Sequence, residues 1–204
     1  MEISKLLGEN AASTLDVLCR NVLQAGTTIQ YASTATSTAT VAAGMLLTAA
    51  EVKEAVRTLE GNNARPVTEM VSPSQNFNTV GIRPSYVAFI SEDSHFDLKN
   101  DPEFVPVEEY ASGDRIHDSE VGKIDNVRFL NVTTQGSVSA AGGAGSIDVH
   151  RTIIVGRDAY GVTRISGHAL ETIIQPLGSA GSADPLKQRA TMGWKASFQA
   201  VRLN

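Results

Sequence analysis

The chain has 204 residues and a mass of 21.6 kDa, with 42% hydrophobic and 19% charged residues, enough for one sizeable domain or two small interlocked lobes with a shared core. Its longest strongly apolar run, residues 41–47, is broken by Gly44 and falls far short of the roughly 20 residues of a membrane-spanning helix; no basic-then-apolar leader opens the chain, and the single cysteine, Cys19, excludes a disulfide framework or a CxxC metal cage. A net charge of −5 and a pI near 5.4 argue against a general nucleic-acid binder, whose affinity comes from neutralising phosphates.

Residues 2–25 read as a helix. Ile3, Leu7, Ala11, Leu15, Leu18 and Val22 recur at spacings of three and four, Asp16 and Arg20 stand at pairing distance, and Gly26 supplies a stop. At 1.5 Å per residue such a helix is about 35 Å long, long for a chain of this size. Residues 27–40 form a Ser/Thr/Ala tract. Ile29 and Tyr31 alternate at period two and predict a short strand at its start, and the remainder, lacking large apolar side chains, predicts a surface loop. Thr48 and Glu51 make a T-x-x-E capping box at the start of a second helix, residues 48–60, with Val52, Ala55, Val56 and Leu59 on one face and Gly61 at its end.

The run YVAFI, residues 86–90, has strand length and no polar interruption, the pattern of a strand buried on both faces. A short helix over residues 93–98 follows. A second strand is expected over residues 122–133, a low-complexity loop over 137–146, and a third strand over 150–155 ending at Gly156. Short strands at 162–165 and 172–174 come next, then a Gly/Ser-rich loop at 177–184. A final strand over 191–203 carries Trp194 and Phe198. Their even spacing places both on one side of that strand, against Leu15, Leu18 and Val22 of the first helix. The loops at 33–40 and 140–146 have nothing large to bury and are expected to be mobile. An aromatic content of 5% leaves few large core anchors and leans towards burial shared with neighbours.

The residues that could carry chemistry do not assemble into a known pattern. His95 with Asp97, and His117 with Asp118, lack the H-x-x-x-H or H-E-x-x-H spacing that converges ligands on a metal. Gly122-Lys123 is not a phosphate loop, because His117 stands where its first glycine belongs and Ile124 follows the lysine. The GGAG at residues 142–145 precedes a strand and is not a dinucleotide fingerprint. No G-x-S-x-G elbow occurs. Cys19 falls inside the first helix and reads as a packing residue; Glu108, Glu109 and Asp114 read as a solvated acidic turn. Trp194 reads as a core or interface anchor. No catalytic, cofactor-binding or metal-binding residue is predicted, and no enzyme activity.

Five phrases occur in order: LTAAEVKEAVRTLEGNNARP from Leu47, YVAFISEDSHFDLKND from Tyr86, EVGKIDNVRFLNV from Glu120, IIVGRDAYGV from Ile153, and ADPLKQRATMGWKASFQAVRLN from Ala183. Together they resemble the major capsid proteins of the phage N4 gp56 type, a branch of the HK97-like capsid fold. The phrases at Glu120, Gly156 and Asp184 are the most specific, and the resemblance covers nearly the whole chain. It implies an α+β fold with a long spine helix, a small peripheral sheet, and an axial domain whose central sheet is flanked by helices. It divides the chain into residues 1–28 as the spine helix of the peripheral domain, 29–165 as the axial domain, and 166–204 as return strands of the peripheral domain, one interlocked unit.

The function implied is structural: a major capsid protein that self-associates, as hexamers and pentamers in the full-length chain, into an icosahedral phage or prophage shell. It would hold packaged DNA non-specifically, without membrane, cofactor or catalysis. Such a protein is made in the bacterial host cytoplasm and resides in the virion. The alternative is a non-capsid phage or bacterial binding module with the same fold. Family members carry an N-terminal arm and an extended loop ahead of the spine. This chain opens at the helix, so by itself it is expected to be a monomer or small oligomer.

Overall fold

The computed structural model describes residues 2–67, 83–110, 117–164, 170–179 and 181–203. In chain order its helices are α1 (Glu2–Gln24), α2 (Ala49–Gly61) and α3 (Glu92–Lys99). Its strands are β1 (Tyr86–Ile90), β2 (Val105–Pro106), β3 (Glu120–Ile124), β4 (Val127–Asn131), β5 (Ser137–Val138), β6 (Val149–His150), β7 (Ile153–Val155), β8 (Tyr160–Arg164), β9 (Leu170–Gln175), β10 (Thr191–Ala196) and β11 (Phe198–Arg202). The chain divides into two compact units. A terminal unit joins Met1–Val22 to Tyr160–Leu203, and a central unit comprises Leu23–Ala159.

The central unit is built on a five-stranded sheet of order β2-β3-β4-β1-β7. β1 runs parallel to β4 and antiparallel to β7. As its unbroken apolar run requires, β1 is buried on both faces. Tyr86, Ala88 and Ile90 point to one side, joining Val52 and Val56 of α2, Leu98 of α3, and Phe104, Ile124, Val127 and Phe129 in the main core. Val87 points to the other side, with Leu130, Val155 and the partly buried Leu23 and Ile153. Phe129, Ile90 and Leu98 are fully enclosed; burying each such side chain is worth about 1.5–3 kcal/mol.

α2 starts where its capping box predicts. The Thr48 N–H donates to Glu51 Oε2 at 3.0 Å, and the next free donor, Ala49 N–H, reaches Asp101 Oδ2 at 2.9 Å from the turn after α3. Two donors that a helix start leaves unpaired are thereby satisfied, one locally and one by tertiary contact. Glu51 also accepts from the backbone N–H of Ser33 at 2.5 Å, which ties the Ser/Thr tract to the helix.

Several expected elements are corrected. No strand forms at Ile29 and Tyr31; the tract is irregular apart from a 3₁₀ turn at Thr38–Thr40. The strand expected over 122–133 is the hairpin β3–β4. It is reversed at Asp125-Asn126, where Asp125 has φ 51°, a conformation that Asp tolerates better than most residues. The strand expected over 150–155 is two strands, β6 and β7. The loop expected at 137–146 opens with β5, which pairs with β6. The second of the two loops expected to be mobile meets the chain just past the first, where Gly143 N–H donates to Val41 O at 2.7 Å, and it closes on its own end, where Gly142 N–H donates to Ile147 O at 2.9 Å. A Cβ at Gly142 would lie 2.9 Å from Val41 O, so glycine is what permits the approach.

In the terminal unit, β8 pairs with β11 and β9 with β10, each as a two-stranded antiparallel sheet. The expected C-terminal strand breaks at Ser197, which separates Trp194 in β10 from Phe198 in β11. Their even spacing therefore does not align them on one strand. The Trp194 indole Nε1–H donates to Asn10 Oδ1 of α1 at 3.2 Å, nearer the helix start than the expected Leu15, Leu18 and Val22.

Candidate functional site

The two units bury apolar surface very differently. Of fifteen buried hydrophobic residues among those described, fourteen belong to the central unit and only Ala11 to the terminal one. Of sixteen exposed large hydrophobic residues, twelve belong to the terminal unit. On α1, Ile3 and Leu6 are 69% and 68% exposed. Every residue of β9 is exposed, although Leu170, Ile173 and Ile174 alternate with and adjoin polar neighbours in the manner of a strand that should cover something. Isolated two-stranded ribbons are marginal in water, and the exposed apolar side chains make the terminal unit the candidate for an interaction surface.

Polar constellations lie in the central unit. Glu120 is wholly buried. Its Oε1 accepts from Arg128 Nη1 at 2.6 Å and from the Tyr110 hydroxyl at 2.8 Å. Lys123 Nζ stands 4.7 Å and the Arg128 guanidinium 5.7 Å from the centre of the Tyr110 ring, close enough for both cations to be attracted by its π face. Burial, then the hydrogen bond to Glu120, pushes the Tyr110 hydroxyl far above its ordinary titration range. Every group in this cluster is engaged by another, which suits a structural lock. Lys123, whose Gly-Lys pair does not fit a phosphate loop, is used here as a ring contact. Gly122 beside it is required sterically, since a Cβ there would run into the Phe104 ring and lie 2.8 Å from Val105 O.

The fold brings together a serine, a histidine and an aspartate that sequence spacing did not connect. Ser91 Oγ lies 3.2 Å from His150 Nδ1, and His150 Nε2 lies 3.5 Å from Asp93 Oδ2. Ser91 is the N-cap of α3: its Oγ accepts from the Ser94 N–H at 3.4 Å and lies 3.1 Å from Ser94 Oγ. Acyl transfer needs an accessible nucleophile and a sheltered carboxylate to orient the base. Here the serine is 7% exposed and the aspartate side chain 76% exposed, the reverse arrangement. The trio serves as a helix cap tied to β6.

The remaining candidates stay apart. His95 stacks edge-on to Phe104 at 6.0 Å, and burial followed by the Lys99 charge lowers its pKa. Cys19 is half-buried on α1, its thiol raised by burial and then by Asp16. Asp114 lies outside the described residues. Among the described residues no three His, Cys, Asp or Glu side chains converge as a metal site, and no helix is long and apolar enough to cross a membrane.

No protein-family description matches the chain, and no curated protein matches it by sequence. In structure the chain is similar to the capsid of Ralstonia phage GP4, with a TM-score of 0.63 at 15% sequence identity. The likeness covers 96% of this chain and 62% of that one, so the chain spans less than two thirds of its neighbour's length. The mixed helix-and-sheet architecture is thus a phage-capsid-like fold.

Proposed function

We propose that the chain is a structural subunit of a phage or prophage capsid, of the N4 gp56 type, and that it works by self-association into an icosahedral shell around DNA with no catalysis. The observation that carries this reading is the terminal unit's display of twelve large apolar side chains over almost no core of its own, joined to a capsid-like fold. A subunit whose task is to be covered by copies of itself leaves such surface open when alone. In this reading α1 is the spine helix of the peripheral domain, residues 166–204 its return strands, and residues 29–165 the axial domain. The protein is made in the bacterial host cytoplasm and resides in the virion.

Sedimentation velocity over a wide concentration range, with electron microscopy of the same samples, tests the proposal. Small, concentration-dependent oligomers are expected of this chain by itself. A chain that stays monomeric throughout, yet binds a different molecule, would instead be a binding module on the same fold.

A further inference from the structure

The self-association proposed above leaves open which surfaces meet, and the charge distribution bears on that. The terminal unit has seven Lys or Arg against five Asp or Glu, net +2; the central unit has ten against seventeen, net −7. Like units repel and unlike units attract. Nine of the central unit's acids fall between Glu92 and Asp118, against two cations in that stretch. Within it, α3 presents Phe96 at 68% exposure, with Glu92 and Asp93 exposed four and three residues earlier, on the same side of the helix.

The terminal unit has a complementary feature. Leu186, 74% exposed, stands between exposed cations at Lys187 and Arg189 and neutral neighbours. This turn is braced from beneath by the buried Asp184, whose carboxylate Oδ2 accepts from Arg189 N–H at 2.7 Å and whose carbonyl accepts from Lys187 N–H at 3.1 Å. The Lys187 stem lies along Gly178, within 3.1 Å of where a Cβ would be. The turn is therefore shaped before any partner arrives, which lowers the ordering cost of association.

We infer that the Phe96 face of α3 in one copy docks on the Leu186–Arg189 turn of a second copy. Phe96 and Leu186 cover each other, while Glu92 and Asp93 oppose Lys187 and Arg189. An exposed aromatic side chain on one face and an arginine on the other are residue types enriched at interfaces. The two faces are different surfaces, so a copy that has lost one of them can still pair through the other.

The inference rests on the self-association reading, and complementation separates the two. Phe96→Ser and Leu186→Ser each remove one face; both residues are exposed, and circular dichroism checks that the chains fold. By sedimentation at low salt, each variant alone is expected to associate at least about tenfold more weakly than the parent. An equimolar mixture retains one intact pair of faces and forms one-to-one dimers that grow no further. Lys187→Glu with Arg189→Glu weakens parent association roughly fivefold at low salt and little at about 0.5 M, where screening is short-ranged; adding Glu92→Lys to the same chain restores it. If the parent associates and neither serine variant changes it, the docking is wrong and self-association stands. If the parent never associates at any concentration, both fall together.

Discussion

Glu120 and Arg128 meet at 2.6 Å because β3 carries one extra residue. The register of β3 on β4 slips between Glu120 and Gly122: Glu120 stands opposite Leu130, while Gly122 stands opposite Phe129. Without that bulge, Glu120, Gly122 and Ile124 would share one face and the carboxylate would enter the apolar core beside Phe129. The bulge turns Glu120 to the face of Leu130 and Arg128. There the charge finds a guanidinium and a tyrosine hydroxyl instead of hydrocarbon.

Removing one partner of this pair leaves the other buried and uncompensated. Glu120→Ala is expected to destabilise the fold by about 3–5 kcal/mol, read as a lower midpoint in urea unfolding. Replacing both, Glu120→Leu with Arg128→Met, is expected to lose less than half of that, since an apolar pair leaves no stranded charge. Equal losses for the single and double variants would show that packing, and not the charge pair, carries the stability.

Acid sensitivity is expected at Asp101. Its carboxylate accepts from Ala49 N–H and Glu103 N–H at 2.9 and 3.0 Å, and these backbone bonds hold its pKa below the ordinary carboxylate value. A group depressed in the folded state contributes stability above its unfolded pKa and loses that contribution as pH falls through the folded one. Asp101→Asn therefore flattens the acid limb of a stability-against-pH curve below about pH 4, while changing the neutral plateau only through the weaker cap on α2. An unchanged acid limb in Asp101→Asn would show that the cap does not titrate with folding.

The docked loops yield a local prediction. Gly142→Val puts a branched side chain where a Cβ already lies 2.9 Å from Val41 O and 3.0 Å from Ile147 Cβ. The loop should lift from residues 38–43, and the Gly143 amide, now bonded to Val41 O, should exchange with solvent much faster. Exchange in β1 and β4 should be unaffected. Slow exchange at Gly143 in the variant would show that the loops hold together by other contacts.

What the sequence disclosed depended on whether a signal was local. α2 was legible because Thr48 and Glu51 announce its start within one turn, and β1 because Pro84 and Ser91 bracket an unbroken apolar run. The β3–β4 hairpin was obscured because Ile124 and Val127 on either side of the turn read as one continuous strand. The break at Ser197 was hidden for the same reason: partial alternation continues through it. Pairing of Glu120 with Arg128 depends on a bulge, and convergence of Ser91, His150 and Asp93 on contacts 59 residues apart in sequence, neither of which leaves a periodic trace. Low aromatic content leaned towards burial shared with neighbours, but where the open apolar surface lies was not legible, for another reason. Periodicity in α1 and β9 shows that a face is apolar, but not whether the same chain covers it.

Trp194 tests how the terminal unit holds together. It is half-buried, its indole N–H donates to Asn10 Oδ1 on α1 at 3.2 Å, and Thr172 of β9 stands opposite it in the sheet. Phe198 belongs to the next strand and does not share a strand face with Trp194. A fully enclosed tryptophan would cost about 3–5 kcal/mol on truncation; at half burial, Trp194→Ala should cost about 1–3 kcal/mol. The parent's emission maximum should lie between those of buried and free indole, with partial quenching by iodide. Asn10→Ala removes the acceptor but not the apolar contact, so it should shift the maximum while costing only about 1 kcal/mol. The lone tryptophan makes the readout unambiguous. An emission identical to free indole in the parent, unchanged by Asn10→Ala, would mean that the Trp194–Asn10 hydrogen bond between β10 and α1 does not persist in solution.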